Sequence, residues 1–137
     1  MLGWVRCLIV DDNEPFLKEA RELLEREGVD VIGVATTAGE ALAKIAELQP
    51  DLTLVDIDLG SESGFDLMRA MADQPNRSTT SVILISVHDE SDFADLIQAS
   101  SADGFVSKTQ LSAQAIQDVL ASDRTPSRRR LRPRSGT

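Results

Sequence analysis

Two short stretches decide the fold: VRCLIVDD at residues 5–12 and LTLVDID at residues 52–58. Each is an apolar-rich run that ends in acidic residues, and neither alternates between apolar and polar residues as a half-solvated strand does. Continuous apolar strands are typical of parallel sheets that are covered by helices on both faces. The two stretches therefore predict buried parallel strands whose carboxyl ends carry carboxylates.

Apolar stretches and amphipathic stretches alternate along the rest of the chain. The pattern predicts further strands over residues 31–35, 82–86 and 104–107, and helices over residues 14–27, 37–48, 65–72, 91–99 and 111–121. Thr37 and Glu40 form a capping-box pattern, and Pro75 is expected to end the third helix. Five strand–helix units with right-handed crossovers predict an α/β, doubly wound domain in three layers, with a five-stranded parallel sheet and five helices.

The formal net charge of −9 is divided unevenly along the chain. Residues 122–137 hold six arginines and one aspartate, whereas residues 1–121 hold 22 acidic and eight basic residues. The basic segment has no apolar periodicity, so we expect one domain at 1–121 and a disordered tail or linker at 122–137. An acidic domain disfavours direct binding of nucleic acid and favours cations or basic partners.

The apolar runs and the single cysteine restrict the cellular setting. No run of about 18 apolar residues is present, so we expect no membrane span. Cys7 lies in the first apolar run and cannot pair within the chain, which predicts a core residue and not a redox centre. These features favour a reduced, cytoplasmic setting.

Polar residues follow the predicted strands at the edge where doubly wound sheets bind their ligands. They are Asp11, Asp12, Asp56, Ser86 and Lys108. Clustered carboxylates repel one another unless a cation joins them, and hard oxygen ligands favour Mg²⁺, or Mn²⁺ in its place. One carboxylate could then attack an activated phosphorus to give an acyl phosphate, while the ammonium and the hydroxyl neutralise phosphoryl oxygens. Asp56 is the predicted nucleophile because the middle strand should place it between the other groups.

Residues 4–121 resemble the receiver domain of bacterial two-component response regulators. The matching motifs are LIVDD at 8–12, LVDIDL at 54–59 with Gly64, IS at 85–86 and GFVSK at 104–108. The resemblance implies a flavodoxin-like sheet with the five predicted strands in the order 2-1-3-4-5. It also implies that Asp56 is the phosphoacceptor of a phosphorelay.

The resemblance also implies a role for each residue of the site. Asp12 would bind Mg²⁺ directly and Asp11 mainly through metal-bound water, beside Asp56 and the backbone carbonyl of Asp58. Ser86 and Lys108 would contact the phosphoryl group as catalytic residues. Phe105, three residues before Lys108, matches the aromatic switch that responds to Ser86.

Three features of the sequence depart from the family pattern. Gly60 replaces a common proline, so we expect a looser loop at residues 60–63. Thr109 follows Lys108 where many members have a proline, often with a cis peptide bond. Asp58 and the only histidine, His88, occupy positions that tend to tune the lifetime of the phosphorylated state.

The implied function is that of a signalling switch and not of an enzyme. A sensor histidine kinase or a histidine phosphotransfer protein would donate the phosphoryl group, and the fourth helix, fifth strand and fifth helix could form a homodimer or partner face. Two alternatives stay open. The chain could be the receiver half of a DNA-binding regulator, cut before a helix-turn-helix domain. Asp56-Ile57-Asp58 also matches the Asp-x-Asp signature of haloacid-dehalogenase-type phosphatases.

Overall fold

The computed structural model describes residues 5–73 and 80–121. Strand formation follows the apolar runs, and the third strand includes the aspartate that was expected to follow it. The strands are β1 (Arg6–Val10), β2 (Asp30–Ala35), β3 (Leu52–Asp56), β4 (Asp58–Leu59), β5 (Glu62–Ser63), β6 (Ser81–Ser86) and β7 (Gly104–Ser107).

Each strand of the main sheet is followed along the chain by an α-helix, which gives the five helices predicted. They are α1 (Glu14–Arg26), α2 (Ala38–Leu48), α3 (Gly64–Ala72), α4 (Ala94–Ala99) and α5 (Ala113–Ala121). The fourth helix is shorter than predicted because Glu90–Phe93 forms a 3₁₀ turn, and none of its α-helical residues is buried. The fifth helix begins later than predicted, since Ser112 Oγ accepts a hydrogen bond from the Ala115 N–H and caps it.

The main sheet has five parallel strands in the order β2-β1-β3-β6-β7. This is the predicted flavodoxin-like order, because β4 and β5 pair only with each other. Successive side chains of the strands point to opposite faces, so the sheet has two separate cores. One core holds the buried residues of α1 and α5, and the other those of α2 and α3. The predicted three layers are therefore confirmed.

The loop after β3 differs from the loose segment expected from the sequence. Residues 58–63 form an antiparallel hairpin in which Asp58 faces Ser63 and Leu59 faces Glu62. Gly60 lies at the turn with φ of 69°, a conformation that a proline ring does not allow. A Glu62 side-chain oxygen also accepts a hydrogen bond from the Ala38 N–H, at 3.0 Å. Glycine thus permits a defined turn here.

Several other expectations fall on particular parts of the chain. The helix end expected at Pro75 and the disorder expected at 122–137 lie outside the described residues. No peptide bond within residues 5–73 and 80–121 is cis, including the bond between Lys108 and Thr109.

Cys7 is fully buried, and burial raises the pKa of its thiol to about 12. None of the helices in the described part of the chain is long and apolar enough to cross a membrane.

A matched pair of glycine substitutions tests the packing of α5 on β7. A Cβ atom at Gly104 would overlap the Val119 side chain, whereas one at Gly39 in α2 meets nothing within 4 Å. We expect Gly104→Ala to lower the free energy of unfolding by about 1–3 kcal/mol because α5 must move outward. Gly39→Ala should leave it unchanged or raise it by about 0.5–1 kcal/mol. Urea unfolding measures both, and equal effects would contradict the packing described.

Candidate functional site

The turn between β1 and α1 gives its two aspartates different surroundings. Asp11 is fully buried and Asp12 is exposed. The Asp11 Oδ1 atom accepts a hydrogen bond from the Asn13 N–H at 2.9 Å, and Asn13 Oδ1 in turn caps α1 at the Phe16 N–H. The buried carboxylate is therefore held by backbone geometry, while its neighbour is free to face solvent or a ligand.

Asp56 occupies the end of the central strand and is 4% exposed. Its Oδ1 atom accepts a hydrogen bond from the Asp58 N–H at 3.1 Å. The start of α3 approaches so closely that a Cβ atom at Gly64 would lie 2.5 Å from the Asp56 carbonyl oxygen. Gly64, which the sequence motif includes, is thus required for this approach.

Lys108 brings a positive charge to these carboxylates from the end of β7. Its Nζ atom lies 2.5 Å from Asp11 Oδ2 and 3.3 Å from Asp56 Oδ2. The same atom lies 4.5 Å from the centroid of the Phe16 ring, which is a cation–π distance. Phe16 lies within the helix predicted over residues 14–27, but helical spacing cannot show what lies against the face of its ring.

The carboxylates fit a hard divalent cation. Asp11, Asp12 and Asp56 each offer one oxygen, and these oxygens lie within 4.8 Å of one another. Asp11 Oδ2 is buried, and the Lys108 ammonium lies 2.5 Å from it. Oxygen ligands with this spacing suit Mg²⁺ or Mn²⁺.

The ionisation of the site reflects its burial and its charges. Burial, and then the negative charge of Asp11, raise the pKa of Asp56 to about 7, although the Asp58 N–H and the Lys108 ammonium lower it. Burial disfavours the charged form of Lys108, but hydrogen bonding and attraction to Asp11 and Asp56 outweigh it and raise its pKa. The site therefore holds more negative charge than Lys108 alone can balance.

Ser86 and Phe105 lie on neighbouring strands beside this cluster. Ser86 is 2% exposed, and its Oγ atom accepts a hydrogen bond from the His88 N–H at 3.0 Å. Phe105 is also buried and packs in the core beneath α2 and α3. The His88 ring contacts Phe93 edge to face, with centroids 6.0 Å apart.

The structure brings most of the residues predicted for the site to one edge of the sheet. Asp11, Asp56 and Lys108 are in direct contact, and Asp12 lies within the same group of carboxylates. Ser86 follows the residue that pairs with Asp56 across β3 and β6. The roles predicted for these residues, and those of the Asp58 carbonyl and Phe105, stay predictions.

The family of the chain follows from comparison with known proteins. Residues 7–120 match the family model of the response regulator receiver domain. The chain belongs to this family, whose members are signalling switches.

Individual relatives resemble this chain over most of its length. A CheY-like response regulator receiver domain protein from Methanospirillum hungatei JF-1 has a solved structure with a TM-score of 0.68. Its sequence is 29% identical to this one, and the match covers 88% of this chain and 92% of the other chain. A protein-glutamate methylesterase/protein-glutamine glutaminase from Myxococcus xanthus is 32% identical over 117 residues, which are 84% of this chain and 33% of that protein.

A third relative has a different output. The DNA-binding transcriptional activator EvgA of Escherichia coli K12 is 22% identical over 106 residues, which are 77% of this chain and 51% of that protein. The chain thus spans about a third to a half of the length of the curated relatives described here.

Removing the Asp56 charge should stabilise the protein in the absence of divalent cations. The unfolded carboxyl ionises near its ordinary pKa of 3.8, and the folded one near 7. The stability that this difference contributes is complete below about pH 4 and is lost as the pH rises toward 7. We expect Asp56→Asn to raise the free energy of unfolding by about 1–3 kcal/mol at pH 7.5 in EDTA, and by less at pH 5.

A control variant separates this effect from a general loss of acidic charge. Asp30 is exposed at the amino end of β2, on the opposite edge of the sheet. Asp30→Asn should change the free energy of unfolding by less than about 0.5 kcal/mol at both pH values. Urea unfolding in EDTA measures all three proteins, and an Asp56→Asn variant that is no more stable at pH 7.5 would contradict the charge imbalance.

Proposed function

We propose that the chain is a phosphoryl-accepting switch of two-component signalling and that Asp56 is its acceptor. One observation carries the proposal: the Asp56 carboxylate contacts the Lys108 ammonium and groups with two further carboxylates, at the sheet edge where such folds bind ligands. This arrangement can bind a cation and a phosphoryl group together. Membership of the receiver family supports the same role.

The proposed reaction is a direct transfer from a phosphohistidine on a sensor kinase or a histidine phosphotransfer protein. An Asp56 carboxylate oxygen attacks the phosphorus, a P–O bond forms, and the P–N bond of the donor breaks. The donor imidazole leaves with the electron pair and takes up a proton. Because an ionised carboxylate is the nucleophile, the elevated pKa of Asp56 would restrict transfer unless other positive charge is close.

The surrounding residues position and neutralise the phosphoryl group. Asp11, Asp12, Asp56 and the Asp58 carbonyl would hold Mg²⁺ or Mn²⁺, which supplies positive charge to the phosphoryl oxygens when bound. The Lys108 ammonium would move from its carboxylate partners to a phosphoryl oxygen, and Phe16 would keep it over the site. The Ser86 hydroxyl would donate a hydrogen bond to another phosphoryl oxygen.

The output would arise from the added charge at Asp56. A phosphoryl group adds about −1.5 to −2 charge and three acceptor oxygens. Ser86 would turn toward it and release the His88 N–H, which changes the packing around Phe105 and the face formed by α4, β7 and α5. We propose this face for binding a protein partner or a second copy of the chain. The proposed setting is the cytoplasm, where a histidine kinase would donate the phosphoryl group.

A second candidate for the output is the control of transcription. The chain would then be the receiver part of a longer DNA-binding regulator, a possibility favoured by its similarity to half of EvgA. The reading frame of the source gene tests this, because a helix-turn-helix domain after residue 137 would establish it. The phosphatase alternative is set aside, since residues 7–120 belong to the receiver family.

Phosphorylation can be measured by intact-mass spectrometry after incubation with acetyl phosphate. We expect the wild type and Asp30→Asn to gain one phosphoryl group with Mg²⁺ and none in EDTA, because the reaction needs the cation to offset charge. Asp56→Asn should gain none. Unchanged labelling of Asp56→Asn would place the acceptor elsewhere, and no labelling of the wild type with several donors would contradict phosphoryl transfer.

Substitutions of Phe16 test whether its ring positions Lys108. Phe16→Leu keeps an apolar side chain but removes the π face, so we expect the rate constant of phosphorylation to fall about 2–10-fold. Phe16→Trp should restore the rate, since indole offers a stronger cation–π surface. The final extent of labelling at saturating Mg²⁺ should stay unchanged in both. Equal rates for the leucine variant and the wild type would show that the ring only packs.

A further inference from the structure

An open groove of about 300 Å³ borders β7, one of the two edge strands of the main sheet. Phe105, Val106 and Val119 line it and are buried, so its floor is apolar. The acidic residues Asp89 and Asp118 are exposed and stand on its rim, from the turn before α4 and from α5. The groove therefore suits a ligand that combines apolar surface with positive charge.

The part of the chain that lines this groove is acidic. Residues 81–121 include six acidic residues and a single base, Lys108. That base is turned into the aspartate cluster, where it pairs with Asp11 and Asp56, and its side chain is only 10% exposed. Residues 81–121, which include the whole lining of the groove, therefore contain no exposed lysine or arginine that offsets these acids.

We propose that the arginine-rich segment 124–134 of the same chain occupies this groove. The segment holds six arginines, and its sequence begins three residues after the end of α5. Arginine matches the groove well, because its guanidinium pairs with carboxylates and its hydrocarbon stem packs on apolar surface. The carboxylates of Asp89 and Asp118 would form ion pairs with the guanidinium groups. The hydrocarbon stems of the arginines would pack on Val106 and Val119.

The length of the chain allows this contact. α5 has nine residues and is therefore about 13 Å long. The arginines at 128–130 lie seven to nine residues beyond Ala121, and an extended chain reaches about 3.3 Å per residue. They can thus return along the whole of α5 to the far end of the groove. Covalent attachment gives such a segment an effective concentration on the order of millimolar, so individually weak ion pairs suffice.

Occupation of the groove would regulate access to this surface. Docking itself requires only the described groove and the sequence of the segment, and it is independent of phosphorylation. The regulatory consequence rests on the proposed function: the groove lies on the α4, β7 and α5 face, so a partner would compete with the segment. The segment would compete most effectively with partners that are themselves basic or apolar, because they would use the same features of the groove.

Paramagnetic relaxation enhancement in the full chain tests the docking without any phosphodonor. A nitroxide label at Ser127→Cys reports the position of the segment, and buried Cys7 should stay unlabelled because its thiol has a pKa of about 12. We expect the amide signals of Glu90 and Ser107 to lose about half of their intensity or more at low salt. They should recover in 1 M NaCl, where charges are screened within about 3 Å.

The decisive amides are those far from the end of α5, because any tethered label broadens signals near Ala121. A groove variant, Asp89→Asn with Asp118→Asn, should abolish the broadening at Glu90 and Ser107. A control of equal charge change, Glu19→Gln with Glu22→Gln on the exposed side of α1, should retain it.

Three results would overturn the proposal. The broadening could be absent from Glu90 and Ser107, or it could persist undiminished in the groove variant. The broadening could also arise only between molecules. A mixture of spin-labelled protein without ¹⁵N and ¹⁵N-enriched protein without a spin label would show this, because broadening there can come only from a second molecule. The last result would assign the groove to a second copy of the chain. Phosphorylation by acetyl phosphate could succeed or fail in each case, so the two proposals are judged separately.

Discussion

The balance of charge at the carboxyl edge of the sheet is the constraint on which the site depends. Two buried carboxylates, Asp11 and Asp56, share one ammonium at distances of 2.5 and 3.3 Å. A single positive charge cannot satisfy both in a poorly solvated setting, so the edge stays short of positive charge. Under the proposed function, a divalent cation would supply the missing positive charge, and a phosphoryl group on Asp56, which adds negative charge, would increase the need for it.

The β1–α1 connection supports this balance in two ways. Its backbone holds the Asp11 carboxylate through the Asn13 N–H, and the same asparagine caps α1. The first turn of α1 then places the Phe16 ring 4.5 Å from the Lys108 ammonium. One short segment thus orients a carboxylate and confines the opposing cation, which links the start of the helix to the chemistry at the end of β7.

The same sheet that builds the site also leaves one side of β7 unpaired. β7 ends the strand order, so residues from both of its faces, Phe105 and Val106, contribute to one groove. Phe105 therefore belongs both to the core near the site and to the surface proposed for output. Under the proposed function, changes in packing near Ser86 would reach that surface through the Phe105 side chain, without a motion of the whole domain.

The sequence alone determined the order of strands and helices and the residues at the strand ends, because apolar periodicity and terminal carboxylates are local signals. Only the tertiary structure decided that Asp11 is buried while Asp12 is exposed, that Gly60 forms a hairpin turn, and that Phe16 faces Lys108. Phe16 and Lys108 are far apart in sequence, and their contact depends on how α1 lies across the sheet. Such distances arise from packing, which no local pattern encodes.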